Sequence, residues 1–183
     1  MAYNFSEFKK GSTAALEWLR AEYSGIRTGQ ATPSILDKIL VPAYGSKTAI
    51  NQLATITVEG AKSLRIIPWD KGLSQNMDAS IREANLGLAV SVDDQGLQVS
   101  FPELSSERRS QLLKLAKEKM EEARIRLRSE REKVLTDVDK QEKMGTLSED
   151  DKFRIKTELQ KLVDESNGQF EELSRRKEKE ISE

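Results

Sequence analysis

The placement of proline constrains this chain more than any other feature. All four prolines, Pro33, Pro42, Pro68 and Pro102, fall in one internal stretch that also holds five of the ten glycines. From Ser105 to Glu183 there is no proline, and glycine occurs only at Gly145 and Gly168. Proline breaks a helix interior and glycine weakens it, so the two ends read as helical and the middle as mixed.

Apolar spacing supports that division. Phe5, Phe8, Ala15, Leu16, Leu19, Tyr23 and Ile26 recur at steps of three and four, one stripe of a helix of about 25 residues that Gly29 and Pro33 stop. A second helix starts at Ser105, an N-cap with Glu107 in the first turn. Leu112, Ala116, Met120, Ala123, Leu127, Val134 and Val138 follow at near-heptad spacing, with a polar break near Glu130. Running to Met144, it would be a rod of roughly 60 Å at 1.5 Å per residue. Gly145 and Thr146 end it. Ser148 and Asp151 have the spacing of a capping box, with Asp for the usual Glu, and open a third helix striped by Ile155, Leu159, Leu162, Ser166, Phe170, Leu173 and Ile181. Three such stripes are buried most simply against one another, in an elongated three-helix bundle.

Residues 30–104 follow another pattern. Ile35–Tyr44 is β-like and leads into a turn at Tyr44-Gly45-Ser46-Lys47. Thr55–Val58 and Ser63–Ile67 read as strands around Glu59-Gly60, Ser74–Leu86 as a short helix capped by Ser74, and Val90–Val92 and Leu97–Phe101 as strands around a turn at Asp93–Gly96. The expected class is α+β. Residues 1–29 and 105–183 form the bundle and 30–104 an inserted β/α/β domain, tethered near 29–32 and 102–105, where few packed residues would make a hinge.

Composition excludes several kinds of chemistry. With 30 basic and 31 acidic residues the formal charge is −1, so any nucleic acid must be met by a local patch rather than a bulk field. There is no cysteine and no histidine, which removes disulfides, Cys-based zinc sites and His-dependent nucleophilic catalysis. The start lacks a basic stretch followed by an apolar one, and no apolar run approaches the roughly 20 residues that span a bilayer, so a soluble, cytoplasmic protein is expected. Gly45-Ser46-Lys47-Thr48 lacks the glycine spacing of a phosphate-binding loop. Glu149-Asp150-Asp151 suits a helix start better than a metal. No catalytic residue, metal site or cofactor is expected, and Trp18 and Trp69 read as packing residues.

One local feature stands apart. Arg124, Arg126, Arg128 and Arg131 fall within eight residues, opposed there only by Glu130. Helical spacing puts Arg124, Arg128 and Arg131 on one side, continued by Lys117, beside the apolar stripe. Guanidinium forks match phosphate oxygens bidentately, which suits an RNA backbone. The competing reading is a solvated face paired with Glu121 and Glu132. Arg27 carries the same ambiguity, since a cation at a helix C-terminus also stabilises the dipole.

These residues resemble the bacterial ribosome recycling factors. Ile26-Arg27-Thr28-Gly29-Gln30-Ala31-Thr32-Pro33 and Leu36-Asp37 are similar to that family's helix-to-hinge motif. Tyr44-Gly45 with Gln52-Leu53-Ala54, Pro102, Leu104 and Glu107-Arg108-Arg109, Glu122-Ala123-Arg124, and Leu147–Asp150 match further family motifs in order. The resemblance implies a monomeric, non-enzymatic factor, L-shaped, with a three-helix bundle and a hinged β/α/β domain. Its partners would be large-subunit ribosomal RNA in the intersubunit space and elongation factor G, which with GTP drives subunits of a post-termination ribosome apart and frees them from the message. Carried over, Arg128 and Arg131 would be the main RNA contacts, with Arg124 and Glu121 beside them and Arg27 near the hinge. Gly29, Gln30, Pro102, Leu104 and Ser105 would serve the hinge. The family usually has Arg where Gln30 stands, and a denser basic run where this chain has Ser129-Glu130-Arg131-Glu132-Lys133. A helical adaptor pairing its stripes with partner helices is the alternative.

Overall fold

The structure is a computed structural model that describes residues 3–182. Its elements are α1 (Ser6–Ser24), β1 (Leu40–Ala43), β2 (Ser46–Ala49), β3 (Ala54–Gly60), β4 (Ser63–Pro68), α2 (Ser74–Glu83), β5 (Ala89–Asp93), β6 (Gly96–Ser100), α3 (Ser106–Lys143) and α4 (Glu149–Ser182). This is the expected α+β class. The chain separates into two compact units, one made of the chain up to Tyr23 with Lys114–Glu178, the other of Ser24–Leu113 with the chain from Lys179.

The helical unit buries Phe8, Ala15, Leu19 and Tyr23 of α1 against the α3 stripe, in which Ala116, Ala123 and Val138 are fully inaccessible. The α4 seam runs through Ile155, Leu159, Val163, Ser166, Phe170 and Ser174. Val163 and Ser174 thus take the places expected of Leu162 and Leu173, which lie half-buried at the seam's edge. Two polar contacts cross the less exposed part of the bundle. The Ser12 and Ser166 hydroxyls meet at 2.7 Å, and the Tyr23 hydroxyl donates to the Ala116 carbonyl at 3.0 Å. Burial pushes the Tyr23 phenol pKa up, as it disfavours the phenolate. The polar break at Glu130 lies across Gly11, where a built Cβ would sit 2.5 Å from the Glu130 Cδ. The α1 glycine is the notch that admits this side chain.

Caps set the helix boundaries. The Arg108 amide donates to Ser105 Oγ at 3.2 Å, as expected of an N-cap. The Asp151 amide donates to Ser148 Oγ at 3.1 Å, while the Ser148 hydroxyl donates to the Asp151 carboxylate at 2.7 Å. The capping box therefore closes side chain to side chain, because aspartate is too short for the usual reach back to the cap amide. Helix α1 stops at Ser24, earlier than its periodicity suggested, because Ile26 and Arg27 are buried in the other unit.

In that second unit, β1 and β2 form a hairpin whose turn residues Tyr44 and Gly45 both have positive φ, the backbone of a tight two-residue turn. The four-stranded antiparallel sheet has the order β3-β4-β6-β5. Leu64, Ile66, Leu97 and Val99 form a fully buried cluster with Met77 and Ile81 of α2. On the opposite face Arg65 ties β3 to β5 through Glu59 at 2.9 Å and Asp93 at 2.5 Å. The expected strand over Ile35–Tyr44 begins instead as a 3-10 turn, Pro33–Leu36. Ile35 and Leu36 are adjacent and both buried, whereas a strand with one solvated face would bury only every other residue. The β3–β4 turn falls at Ala61-Lys62, past an irregularity between Val58 and Gly60. Ser74 is the first residue of α2 rather than its cap, and Asp70 caps the 3-10 turn before it by accepting from the Gly72 amide at 2.9 Å. Trp69, expected to pack, is 69% exposed, with its indole N–H donating to Thr55 Oγ1.

Candidate nucleic-acid interface

Arg124, Arg128 and Arg131 stand on α3 beside the buried Ala123 and Leu127. Together with Gln160, Val163, Asp164, Asn167, Gly168 and Glu171 of α4 they line an open groove of about 570 Å³. The steps of four and three along α3 bring these guanidiniums into one row, as expected. Lys117 lies outside the groove. Arg126, on another side, stacks over the Trp18 ring at 4.1 Å, with Lys119 at 5.6 Å from the same ring. That cation–π arrangement inside the helical unit was not foreseen, though Trp18 and Lys119 both sit at half-buried helix positions.

The three groove arginines are not equally engaged. Arg124 is held by Glu121 at 2.7 Å and by Glu171 across the groove at 3.1 Å. Arg131 has a loose pair with Glu132 at 3.4 Å. Arg128 is exposed and has no side-chain partner among the described residues. Exposed ion pairs of this kind are worth only about 0.2–1 kcal/mol, so a phosphate can displace them. The solvated, glutamate-paired face is therefore seen at two of the three arginines. Glutamates do pair with Arg124 and Arg131, and the groove remains available to an anion through Arg128.

Arg27 is placed differently. It is 5% exposed, and its guanidinium points into the base of the α/β unit. Nη1 donates to the carbonyls of Gly87 at 2.5 Å and Leu86 at 3.4 Å, and Nη2 donates to that of Pro102. The cation lies 5.8 Å from the centre of the Phe101 ring. Burial, with the like charge of Arg108 second, pulls its pKa below the usual arginine range. Gly87 has φ +70°, and a Cβ there would meet Arg27 Nη1 at 2.8 Å. In this arrangement Arg27 presents little surface to RNA.

The residues expected at the hinge gather near this point. The Gln30 carbonyl accepts from the hydroxyls of Thr28 and Thr32, each at 3.4 Å. Gly29 is half-buried, Gln30 exposed, and Leu104 buried. The Ala31 and Phe101 amides donate to the Ala61 and Lys62 carbonyls, both at 2.9 Å. Both connecting segments are thus stitched to one hairpin turn, with Pro102 joined through its carbonyl to Arg27 and Ser105 capping α3.

The fold and groove define a class: an α+β binding factor with a row of arginines on one helix of a three-helix unit. A family model described as ribosome recycling factor matches residues 19–181. The ribosome-recycling factor of Zymomonas mobilis is 38% identical over 98% of this chain and 97% of its own length. That of Halalkalibacterium halodurans is 40% identical over 93% and 92%. A solution structure of a ribosome recycling factor superposes with a TM-score of 0.75 at 35% identity, covering 97% of this chain and 95% of the other. A second similar structure, with TM-score 0.67, 33% identity and 97% and 96% coverage, is the Thermus thermophilus factor in models of it and Escherichia coli elongation factor G bound to the Escherichia coli post-termination complex. This chain belongs to the ribosome recycling factor family.

Proposed function

We propose that the protein binds the post-termination ribosome in the intersubunit space and, with elongation factor G and GTP, promotes its separation into subunits and release from the message. Family membership over nearly the whole chain is the observation that carries this reading. The chain supplies no catalytic step, and GTP hydrolysis belongs to the elongation factor. No helix among the described residues is long and apolar enough to cross a membrane. As a ribosome-associated factor the protein would act in the cytoplasm.

Within this reading the arginine groove meets large-subunit RNA. Arg128 makes the leading phosphate contact, Arg131 follows, and Arg124 and Glu121 border them. The segments at 29–32 and 102–105, with Gly29, Gln30, Pro102, Leu104 and Ser105, absorb the rotation that splitting requires. Arg27 fixes the backbone of the second segment through its hydrogen bond to the Pro102 carbonyl.

Light scattering of post-termination ribosomes tests the reading directly. A fall in scattering that needs the protein, elongation factor G and GTP together is expected. No fall, together with no co-sedimentation with ribosomes, would reject it in favour of a helical adaptor.

A further inference from the structure

The α4 wall of the groove carries a feature that neither packing nor backbone geometry explains. Gly168 lies in the middle of a 34-residue helix, where glycine is the least favourable residue after proline. A Cβ built on it meets no atom within 4 Å, and its φ is not in the left-handed region. Among the glycines with described surroundings it alone has neither a close neighbour nor a positive φ. What glycine provides here is room on the outside of the helix, on the groove wall.

The residues beside it have a matching chemistry. Gln160, Asp164, Asn167 and Glu171 line the same wall of α4, on either side of Gly168. The half-buried Asn167 amide has no hydrogen-bond partner among the described residues. Asp164 accepts from the Gln160 amide at 2.8 Å and Glu171 from Arg124 at 3.1 Å, each through one oxygen. Both would repel a phosphate, but the second oxygen of each remains a strong acceptor for a hydroxyl. The opposite wall is cationic, with Arg124, Arg128 and Arg131. One wall therefore suits phosphates and the other suits sugar hydroxyls.

We infer that a single strand of ribosomal RNA lies lengthwise in this groove, its phosphates toward α3 and its riboses against α4 at Gly168, with 2′-hydroxyls read by Asn167, Asp164 and Glu171. The inference rests on the groove being the RNA interface proposed above and assigns α4 as its second half. The 2′-hydroxyl is what separates RNA from DNA at such a site.

Gly168→Ala and Gly168→Leu, made in the full chain, separate this role from a structural one. Alanine should raise Tm by about 2–4 °C, since it favours the helix. Affinity for large ribosomal subunits should nevertheless fall, modestly for alanine and about tenfold or more for leucine, as extra atoms enter a filled contact. The salt dependence of binding should keep its slope, because no phosphate contact loses its cation. Arg128→Glu, run in parallel, reports on the groove itself. If Arg128→Glu lowers affinity and Gly168→Leu does not, the ribose wall is wrong and the arginine wall stands. If neither lowers it, the groove is not the RNA interface and both fail. Acylation of ribosomal RNA 2′-hydroxyls at saturating protein identifies the occupant. A short run of riboses protected by the wild type and exposed by Gly168→Leu is expected. Weaker binding of Gly168→Leu with no such change would place protein in the groove and overturn the inference.

Discussion

Arg27 and Arg128 are the same side chain in opposite surroundings. Arg128 stands in an open groove with no partner among the described residues, whereas Arg27 is buried and held by three backbone carbonyls. A guanidinium in water keeps its solvation until a ligand arrives, so its energy appears in binding. A buried one has already lost that solvation and must be repaid by fixed dipoles, so its energy appears in the fold. The Arg27 carbonyls come from the loop after α2 and from Pro102, so this arginine joins segments far apart in sequence.

The sharpest way to break this contrast is to remove both side chains. Arg27→Met should destabilise the α/β unit by about 3 kcal/mol in urea unfolding, because it leaves buried carbonyls without donors. Arg128→Ala should leave stability within about 0.5 kcal/mol. Equal stability effects would erase the distinction. Next in size, Arg128→Ala should weaken large-subunit binding by about 1–3 kcal/mol and reduce the salt slope by about one, with Arg131→Ala acting in the same direction. Gly87→Ala should mimic part of the Arg27 loss, about 1–2 kcal/mol, since it combines a strained φ with a collision at Nη1.

A smaller effect involves a third arginine, Arg65. The Arg65 hydrogen bond, with the Gln95 amide second, holds the Asp93 carboxyl below its usual range. A depressed carboxylate pKa adds stability that is present above the ordinary aspartate value, near pH 4, and is lost as pH falls through the lower folded value. Thermal unfolding followed from pH 6 to pH 2 should show Asp93→Asn with a flatter acid limb than wild type. The carbonyl cage of Arg27 does not titrate, so Arg27→Met should shift the whole curve without flattening that limb.

Much of this was legible in the sequence, for reasons that can be named. All four prolines lie within the α/β unit, whose Ser24–Leu113 portion is wider than the expected 30–104, and the steps of three and four placed Arg124, Arg128 and Arg131 in one row. The caps at Ser105 and Ser148 were readable because short-range hydrogen bonds depend only on neighbouring residues. Long-range placement was not readable. Arg27 carries the same local signals as a surface cation, and only the return of Gly87 and Pro102 to the same point turns it inward. The α4 wall was hidden for a similar reason. Gly168 was visible as an oddity in a proline-free stretch, but its meaning depends on facing α3. At Val163 and Ser174 the buried position is the residue after the expected leucine, while Ser166 and Phe170 between them fall where expected, so the choice between neighbouring seam positions was missed and the period was not.

The pairing of Gly11 with Glu130 has a mechanical consequence. Matched apolar stripes resist being pulled apart, but they resist sliding much less, since each hydrophobic step resembles the next. A shift of α1 by one heptad, about 10 Å, would set Glu130 against Asn4 or Trp18 instead of the glycine notch. The pair therefore works as a key in a keyway. It indexes α1 along α3 and lets a force applied along the rod pass from one helix to the other without slippage.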